Sequence, residues 1–272
     1  MTAATSLADE FAAHGYVVLR GVLNADEVRT ARALCKQHLA VAGVQEMMTC
    51  DFLANEFLAG IALRPLVLDT VAQLVGPQVV MYPNCTARMN VYVPWHVDTT
   101  FVGADTEYVW APGFVHVQAG LYLQDNGPAT GGGIDVIRGS HLMSFDGYGR
   151  IPADFSAASR TLGRSVLRET VDTRAGDMIL WHGRLMHSST EGHAAPEDEK
   201  FGAFFSYGRK ELQENHRFLC RIARDSVRTM NGVSARIPRL TEIAAMTYPG
   251  SFPEWFVKQA SAAGVEIVTL LP

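Results

Sequence analysis

The hydrophobic pattern of the chain changes its period near Gln78, and this change is the strongest constraint on the fold. Before Gln78, apolar residues recur at helical spacing between residues that commonly start and end helices. Asn24 and Glu27, for example, stand three residues apart just before such a run, which is the spacing of a capping box. Helices are therefore predicted over residues 24–43, 51–62 and 65–76, after a short strand over residues 15–19.

After Gln78 the chain reads as a series of short strands that Gly and Pro separate. The predicted strands cover residues 79–82, 86–93, 114–123, 134–137, 166–174, 178–181 and 201–207. Helices followed by many short strands favour an antiparallel two-sheet barrel with helices packed outside one sheet. We expect a single domain over residues 1–272, with a helical N-terminal part (1–77), a barrel core (78–208) and a C-terminal elaboration (209–272).

Composition and charge argue against several classes of function. The net charge of −5 and the isoelectric point near 6.0 disfavour nucleic-acid binding, which requires a basic surface. No apolar run approaches the roughly 18 residues that cross a bilayer, and the first eleven residues do not resemble a secretory signal. The four cysteines, at positions 35, 50, 85 and 220, lack paired spacing and indicate reduced thiols. We therefore predict a cytoplasmic protein without a membrane or nucleic-acid partner.

The sharpest local motif is the segment Pro-Trp-His-Val-Asp from Pro94 to Asp98. On an extended strand, residues i and i+2 project to the same face, so His96 and Asp98 can reach one metal ion together. The same pair is also compatible with a strand that carries two solvent-facing polar residues. A third ligand would have to come from another strand, and three histidines in or near the segment 176–189 could supply it. These candidates are His182, His187 and His193.

Four segments carry a joint pattern that is far more specific than any one of them. They are residues 15–23 (Gly-Tyr-Val-Val-Leu-Arg-Gly-Val-Leu), 95–98 (Trp-His-Val-Asp), 132–141 (ending Gly-Ser-His) and 176–189 (from Gly-Asp to His-Ser-Ser). In this order they resemble the motifs of the phytanoyl-CoA hydroxylase (PhyH-like) family of Fe(II)- and 2-oxoglutarate-dependent dioxygenases, over roughly residues 10–210. The resemblance implies a mainly β fold with flanking helices, namely a double-stranded β-helix (jelly-roll, cupin-like) barrel.

The resemblance also implies the metal ligands and the chemistry. His187 matches the third ligand, since it ends the Gly-Asp strand motif, and it would join His96 and Asp98 on Fe(II). Two histidines and one carboxylate leave positions open for 2-oxoglutarate and O2, the two co-substrates. The expected reaction is hydroxylation of a small molecule, or desaturation or cyclisation.

The 5-carboxylate of 2-oxoglutarate requires a cation, and the chain departs from the family here. Where the family has an arginine, about a dozen residues after the distal histidine, the matching residue is Lys200, with Ser189 as the assisting hydroxyl. A lysine offers a point charge in place of the two-pronged contact of a guanidinium. Arg88, on the predicted strand before the metal motif, is the alternative cation. An aromatic residue often lies near the cofactor in this family, and Gly120 is predicted to occupy that position.

The substrate is the least constrained part of the prediction. Candidate lining residues flank the metal motif or follow it, and each is also compatible with packing or surface roles. They are Asn90, Tyr92, Thr99, Phe101, Trp110 and Arg138. The arginine- and alanine-rich composition is typical of a GC-rich bacterial source, in which such enzymes often act in natural-product biosynthesis. Two other interpretations remain open: a metal-binding sensor or binding module without turnover, and an iron oxygenase that does not use 2-oxoglutarate.

Overall fold

In this computed structural model the described strands form two sheets, antiparallel except for one parallel pair at an edge, and helices pack on one side. The structure describes residues 6–82, 84–98, 113–142, 168–191, 199–212 and 249–269. The helices are α1 (Leu7–His14), α2 (Ala25–Ala42), α3 (Thr49–Ala54), α4 (Glu56–Ile61), α5 (Pro65–Val75) and α6 (Glu254–Ala262). The strands are β1 (Tyr16–Leu19), β2 (Glu46–Met47), β3 (Val79–Met81), β4 (Thr86–Met89), β5 (His116–Tyr122), β6 (Ile134–Ile137), β7 (Arg168–Thr170), β8 (Met178–His182), β9 (His187–Ser189), β10 (Phe201–Arg209) and β11 (Glu266–Ile267).

The larger sheet has the strand order β1-β8-β5-β10-β3-β11, and β4 pairs with both β10 and β2. One face of this sheet packs against the helices. Val67, Val71 and Val75 recur every fourth residue on α5 and are fully buried, which turns one stripe of this helix toward β3, β5 and β10. Capping fixes the start of α2, where the Asn24 side chain accepts from the Asp26 and Glu27 amides and the Glu27 carboxylate accepts from the Asn24 amide.

The smaller sheet has the order β7-β6-β9 and packs over the other face of the larger one. Ile134 and Val136 of β6 share a buried cluster with Ile179 and Trp181 of β8, so the two sheets enclose a common interior. The predicted jelly-roll architecture with flanking helices is confirmed. Within the described residues, no helix has the length and apolar character needed to cross a membrane.

Three local predictions need correction. The strand predicted over 166–174 ends at Thr170 in the described residues, where β7 covers Arg168–Thr170. The helix predicted over residues 51–62 is two helices, because Asn55 has extended backbone (φ −97°, ψ 105°) and its side chain accepts from the Leu58 amide to start α4. The strand predicted over 86–93 ends at Met89, because Asn90 adopts a positive φ of 54°. Helix α1 was not among the predicted helices.

Candidate metal centre

Three side chains from two distant parts of the chain converge on one point. His96 Nε2 lies 3.7 Å from Asp98 Oδ1, and His187 Nε2 lies 3.9 Å from the same oxygen. One ligand atom from each residue can be chosen so that all three lie within 4.8 Å of one another. The three side chains are close enough to hold a single ion, and they are the only such group of His, Cys, Asp and Glu in the described part of the chain.

Main-chain pairing brings the two histidines together. His96 and His187 form an isolated antiparallel bridge, in which each amide donates to the other carbonyl at 2.9 Å. The motif therefore pairs with the smaller sheet through one bridge to the first residue of β9, although His96 and Asp98 were interpreted as lying on an extended strand. The ring centroids of the two histidines are 4.2 Å apart.

Backbone carbonyls orient both imidazole rings for metal binding. His96 Nδ1 lies 2.8 Å from the Pro94 carbonyl, and His187 Nδ1 lies 2.9 Å from the Leu185 carbonyl. A carbonyl only accepts, so Nδ1 carries the proton in each ring and Nε2 presents its lone pair to the shared point.

The carboxylate of Asp98 is held in one orientation by its neighbours. Trp181 Nε1 donates to Asp98 Oδ2 at 2.9 Å, which leaves Oδ1 facing the two histidines. Burial raises the pKa of Asp98, but its contacts with His187, His96 and Trp181 outweigh burial and hold this pKa well below its usual range. Asp98 is therefore anionic, which is the charge that a ligand of a divalent cation requires.

The competing histidine His182 has a packing role. Its Nδ1 accepts from the Arg184 amide at 3.0 Å and its Nε2 lies 3.3 Å from the Phe114 carbonyl, so both ring nitrogens have backbone partners. Burial among Phe11, Phe114 and other groups lowers its pKa. The third candidate, His193, lies outside the described residues.

A cavity of about 530 Å³ opens onto His96, Asp98 and His187. Of the predicted cofactor and substrate residues, five line this cavity: Arg88, Asn90, Tyr92, Ser189 and Lys200. Thr99, Phe101 and Trp110 lie outside the described residues. Arg138 does not line the cavity and lies 3.9 Å from Glu169 in a half-exposed ion pair.

Lys200 enters the cavity wall just before β10. Its amide donates to Asn90 Oδ1 at 2.8 Å, and the Asn90 amide donates to the Lys200 carbonyl at 2.9 Å. Gly132 makes room for the lysine, since a Cβ there would lie 2.8 Å from Lys200 Cδ. Ser189 uses its hydroxyl oxygen to accept from the Val93 amide at 2.9 Å, which ties β9 to the segment that leads into the metal motif.

Arg88 already has an anionic neighbour. Its Nε donates to Glu46 Oε1 at 2.8 Å, and its guanidinium lies 5.5 Å from the centroid of the Phe204 ring. Glu46 belongs to β2, so the helical part of the chain contributes to the cavity wall. The positive charge of Arg88 is therefore partly compensated before any ligand binds.

Several cavity residues were not among the predicted site residues. Trp181 occupies the space over Gly120, where a Cβ would lie 2.9 Å from the indole ring, so the predicted aromatic position is filled from the neighbouring strand. Glu46 was also missed. Tyr122 and Thr86 carry buried hydroxyls that have no hydrogen-bond partner among the described residues. Alternate residues of a strand face the same side, so Tyr122, two residues after Gly120, could have been predicted to face the cofactor position.

Comparison with known proteins gives a family match and several structural likenesses. The family model for phytanoyl-CoA dioxygenase (PhyH) matches residues 11–195, while no curated protein sequence matches the chain. EctD from S. alaskensis with bound Fe superimposes with a TM-score of 0.61 at 21% identity, covering 77% of this chain and 79% of that one. The epimerase SnoN in complex with Fe3+, alpha ketoglutarate and nogalamycin RO gives 0.57 at 20% identity, covering 75% and 82%. HygX from Streptomyces hygroscopicus with nickel and 2-oxoglutarate bound gives 0.57 at 20%, covering 74% and 85%. At these identities the likenesses establish a shared fold.

Proposed function

Because this chain belongs to the phytanoyl-CoA dioxygenase family of Fe(II)- and 2-oxoglutarate-dependent oxygenases, we propose that it oxidises a small molecule at a metal held by His96, Asp98 and His187. The outcome is hydroxylation, or desaturation or cyclisation of the same substrate. The observation that carries the proposal is the convergence of two Nε2 atoms and one carboxylate oxygen on a point that faces the cavity.

The donor set fits Fe(II). Two neutral imidazoles and one carboxylate on one side of an ion form the ligand set of non-haem iron oxygenases, and they leave neighbouring positions for further ligands. Iron with 2-oxoglutarate and O2 supplies the oxidation of an unactivated carbon, with succinate and CO2 as coproducts. The protein residues therefore serve to bind and orient the substrate and 2-oxoglutarate and to exclude water. No acid or base of the chain is required for the oxidation of the unactivated carbon.

The cavity fits 2-oxoglutarate as well. Lys200 supplies the positive charge for the 5-carboxylate, and Ser189 lies two residues after His187 in the same wall. Arg88 is the weaker candidate for this role because Glu46 already compensates its charge. We assign the cofactor carboxylate to Lys200 and leave Arg88, Asn90 and Tyr92 for contacts with substrate.

The size and lining of the cavity favour a small, partly polar substrate. Its walls combine apolar rings such as Trp181 and Phe204 with amides and hydroxyls such as Asn84 and Gln118. The SnoN structure contains nogalamycin RO, and a second EctD structure contains 5-hydroxyectoine. Both compounds are small molecules. A role in bacterial natural-product biosynthesis agrees with these likenesses and with the composition of the chain.

Succinate formation tests the proposal. The purified protein, loaded with Fe(II), is incubated with 2-oxoglutarate in air, and succinate and O2 consumption are measured with and without a library of small molecules. We expect slow succinate release alone and faster release with a substrate, whose product is heavier by one oxygen or lighter by two hydrogens. Metal binding without succinate release from any mixture would support a sensor or binding module. Product without succinate would support an iron oxygenase that does not use 2-oxoglutarate.

A further inference from the structure

Tyr122 presents a buried hydroxyl that the fold leaves without a partner. It is the last residue of β5, it is 2% exposed, and its Oη forms no hydrogen bond with any residue that the structure describes. Buried hydroxyls in proteins are almost always hydrogen-bonded, so an exception in a cavity wall points to a ligand that completes it.

Strand pairing places Tyr122 on the same face as two cationic side chains, Lys200 and Arg88, and Arg88 is paired with Glu46. Tyr122 pairs with Gly202 of β10, and Gly202 pairs on its other side with Arg88 of β4. Residues paired across strands share a face, so Tyr122 and Arg88 flank a position that has no side chain. Lys200 precedes Gly202 by two residues and continues the ladder through its two hydrogen bonds with Asn90, which brings it to the same face.

Burial raises the pKa of Tyr122, so its hydroxyl is protonated throughout the physiological range and acts as a donor. A protonated hydroxyl on the same face as Lys200 is suited to a carboxylate, which accepts several hydrogen bonds at once. The Phe204 ring fills the space over Gly202, since a Cβ there would lie 2.7 Å from it, and the ring packs against both Tyr122 and Arg88. Lys200 is therefore the cation that remains for an anion beside the Tyr122 hydroxyl.

We infer that the Tyr122 hydroxyl donates to the 5-carboxylate of 2-oxoglutarate and shares this group with Lys200. The inference rests on the proposed function and extends it to a residue outside the recognised motifs. A guanidinium can bind both oxygens of a carboxylate, whereas an ammonium is a point charge. Tyr122 supplies the second directional contact that the lysine lacks.

The test compares two ligands that differ only at carbon 5, the end opposite to the metal-chelating group. Tyr122→Phe keeps the ring and removes the hydroxyl, and binding is measured by calorimetry to the Ni(II)-loaded protein, which does not turn over. 2-Oxoglutarate and 2-oxopentanoate share the metal-chelating end, but 2-oxopentanoate has a methyl group in place of the 5-carboxylate. For 2-oxoglutarate we expect the Kd to rise about ten- to a hundredfold, as for a lost hydrogen bond to a charged group. For 2-oxopentanoate the Kd of Tyr122→Phe should stay within about twofold of the wild-type Kd. This ligand has no 5-carboxylate, so the contact with the Tyr122 hydroxyl is absent in the wild type as well as in the variant.

Tyr207→Phe is the matched control. Tyr207 is a buried tyrosine of β10 whose hydroxyl donates to the Ala62 carbonyl at 2.6 Å, and it does not line the cavity. Its replacement lowers the melting temperature without changing either Kd. Absence of 2-oxoglutarate binding to the wild-type metal-loaded protein contradicts the proposed function itself. If the wild type binds 2-oxoglutarate but Tyr122→Phe binds it equally well, or weakens both ligands alike, the inference about Tyr122 is wrong.

Discussion

Trp181 Nε1 donates a 2.9 Å hydrogen bond to Asp98 Oδ2, on the side of the carboxylate that faces away from the two histidines. The bond leaves Oδ1 as the oxygen that would bind the proposed metal. Trp181 also packs against His187, with ring centroids 5.2 Å apart, so one side chain contacts two of the three proposed ligands. Groups that orient metal ligands in this way commonly change metal affinity by about ten- to a hundredfold when replaced.

Replacing Trp181 with Phe should therefore weaken metal binding by about tenfold while the protein remains folded. Without the indole N–H, the Asp98 carboxylate is able to rotate and bind through both oxygens. Co(II) titration reports both effects, since its visible absorption depends on coordination number. Trp255→Phe, a change on α6 away from the cavity, is the control. An unchanged Co(II) affinity and spectrum in Trp181→Phe would show that the hydrogen bond does not position Asp98.

The choice between the two histidines of the segment 176–189 is open to direct measurement. His187→Ala should lose Mn(II) binding, detected by electron paramagnetic resonance, because one of three protein ligands is removed. His182→Phe should keep Mn(II) binding and instead lower the melting temperature, because it leaves the Arg184 amide and the Phe114 carbonyl without their partner. The reverse pattern would make His182 the ligand.

The charge at Lys200 is expected to set the affinity for 2-oxoglutarate. Lys200→Ala should raise its Kd by about ten- to a hundredfold, which corresponds to about 1.5–3 kcal/mol for a contact with a charged group, and leave metal affinity nearly unchanged. Lys210→Ala serves as the control, since Lys210 pairs with Glu266 at 2.8 Å and does not line the cavity. If Lys200→Ala binds 2-oxoglutarate normally and Arg88→Gln does not, the cofactor carboxylate belongs to Arg88.

The contacts of Asp177, the aspartate of the Gly-Asp motif, predict that the protein loses stability in acid. It accepts from the Gly21 and Arg174 amides, each at 2.8 Å, and from Arg20 at 2.7 Å. Burial raises the pKa of Asp177, but these contacts outweigh burial and lower it below the unfolded value of about 3.9. The stabilisation is therefore complete above about pH 5 and is lost as the pH falls through the folded pKa.

Asp177→Asn removes this contribution and tests it. Urea unfolding at pH 7 should give a free energy of unfolding lower by about 1–3 kcal/mol, because two amides lose a charged acceptor. The difference between the variant and the wild type should shrink as the pH falls from about 5 to about 3. A difference that is independent of pH would mean that the ionised carboxylate contributes nothing.

Much of the fold could be predicted from the sequence because local patterns and tertiary packing agree. The Asn24 capping box, the Pro65 helix start and the short strands after Gln78 all occur in the structure. The break at Asn55 was missed because an asparagine inside an apolar pattern reads as a polar helical position, and only its bond to the Leu58 amide makes it a cap.

The site could be predicted only in part, for a physical reason. His96 and Asp98 are detectable because their spacing has geometric meaning on a strand, whereas Trp181 and Tyr122 are aromatic residues in buried strands. Strand periodicity does not distinguish an aromatic residue that fills a core from one that walls a cavity. Only the strand register, which places Tyr122 beside Gly202, shows that Tyr122 lines a cavity.

The paired amides and carbonyls of His96 and His187 mean that the shape of the metal centre is encoded in the main chain. Most of the entropy lost in gathering the ligands is a cost of folding and not of metal capture, so the ion meets a preorganised site. Exchange of one divalent metal for another should then proceed without rearrangement of the two sheets. Selectivity among metals would come from ligand chemistry and supply, because the backbone offers the same geometry to each ion.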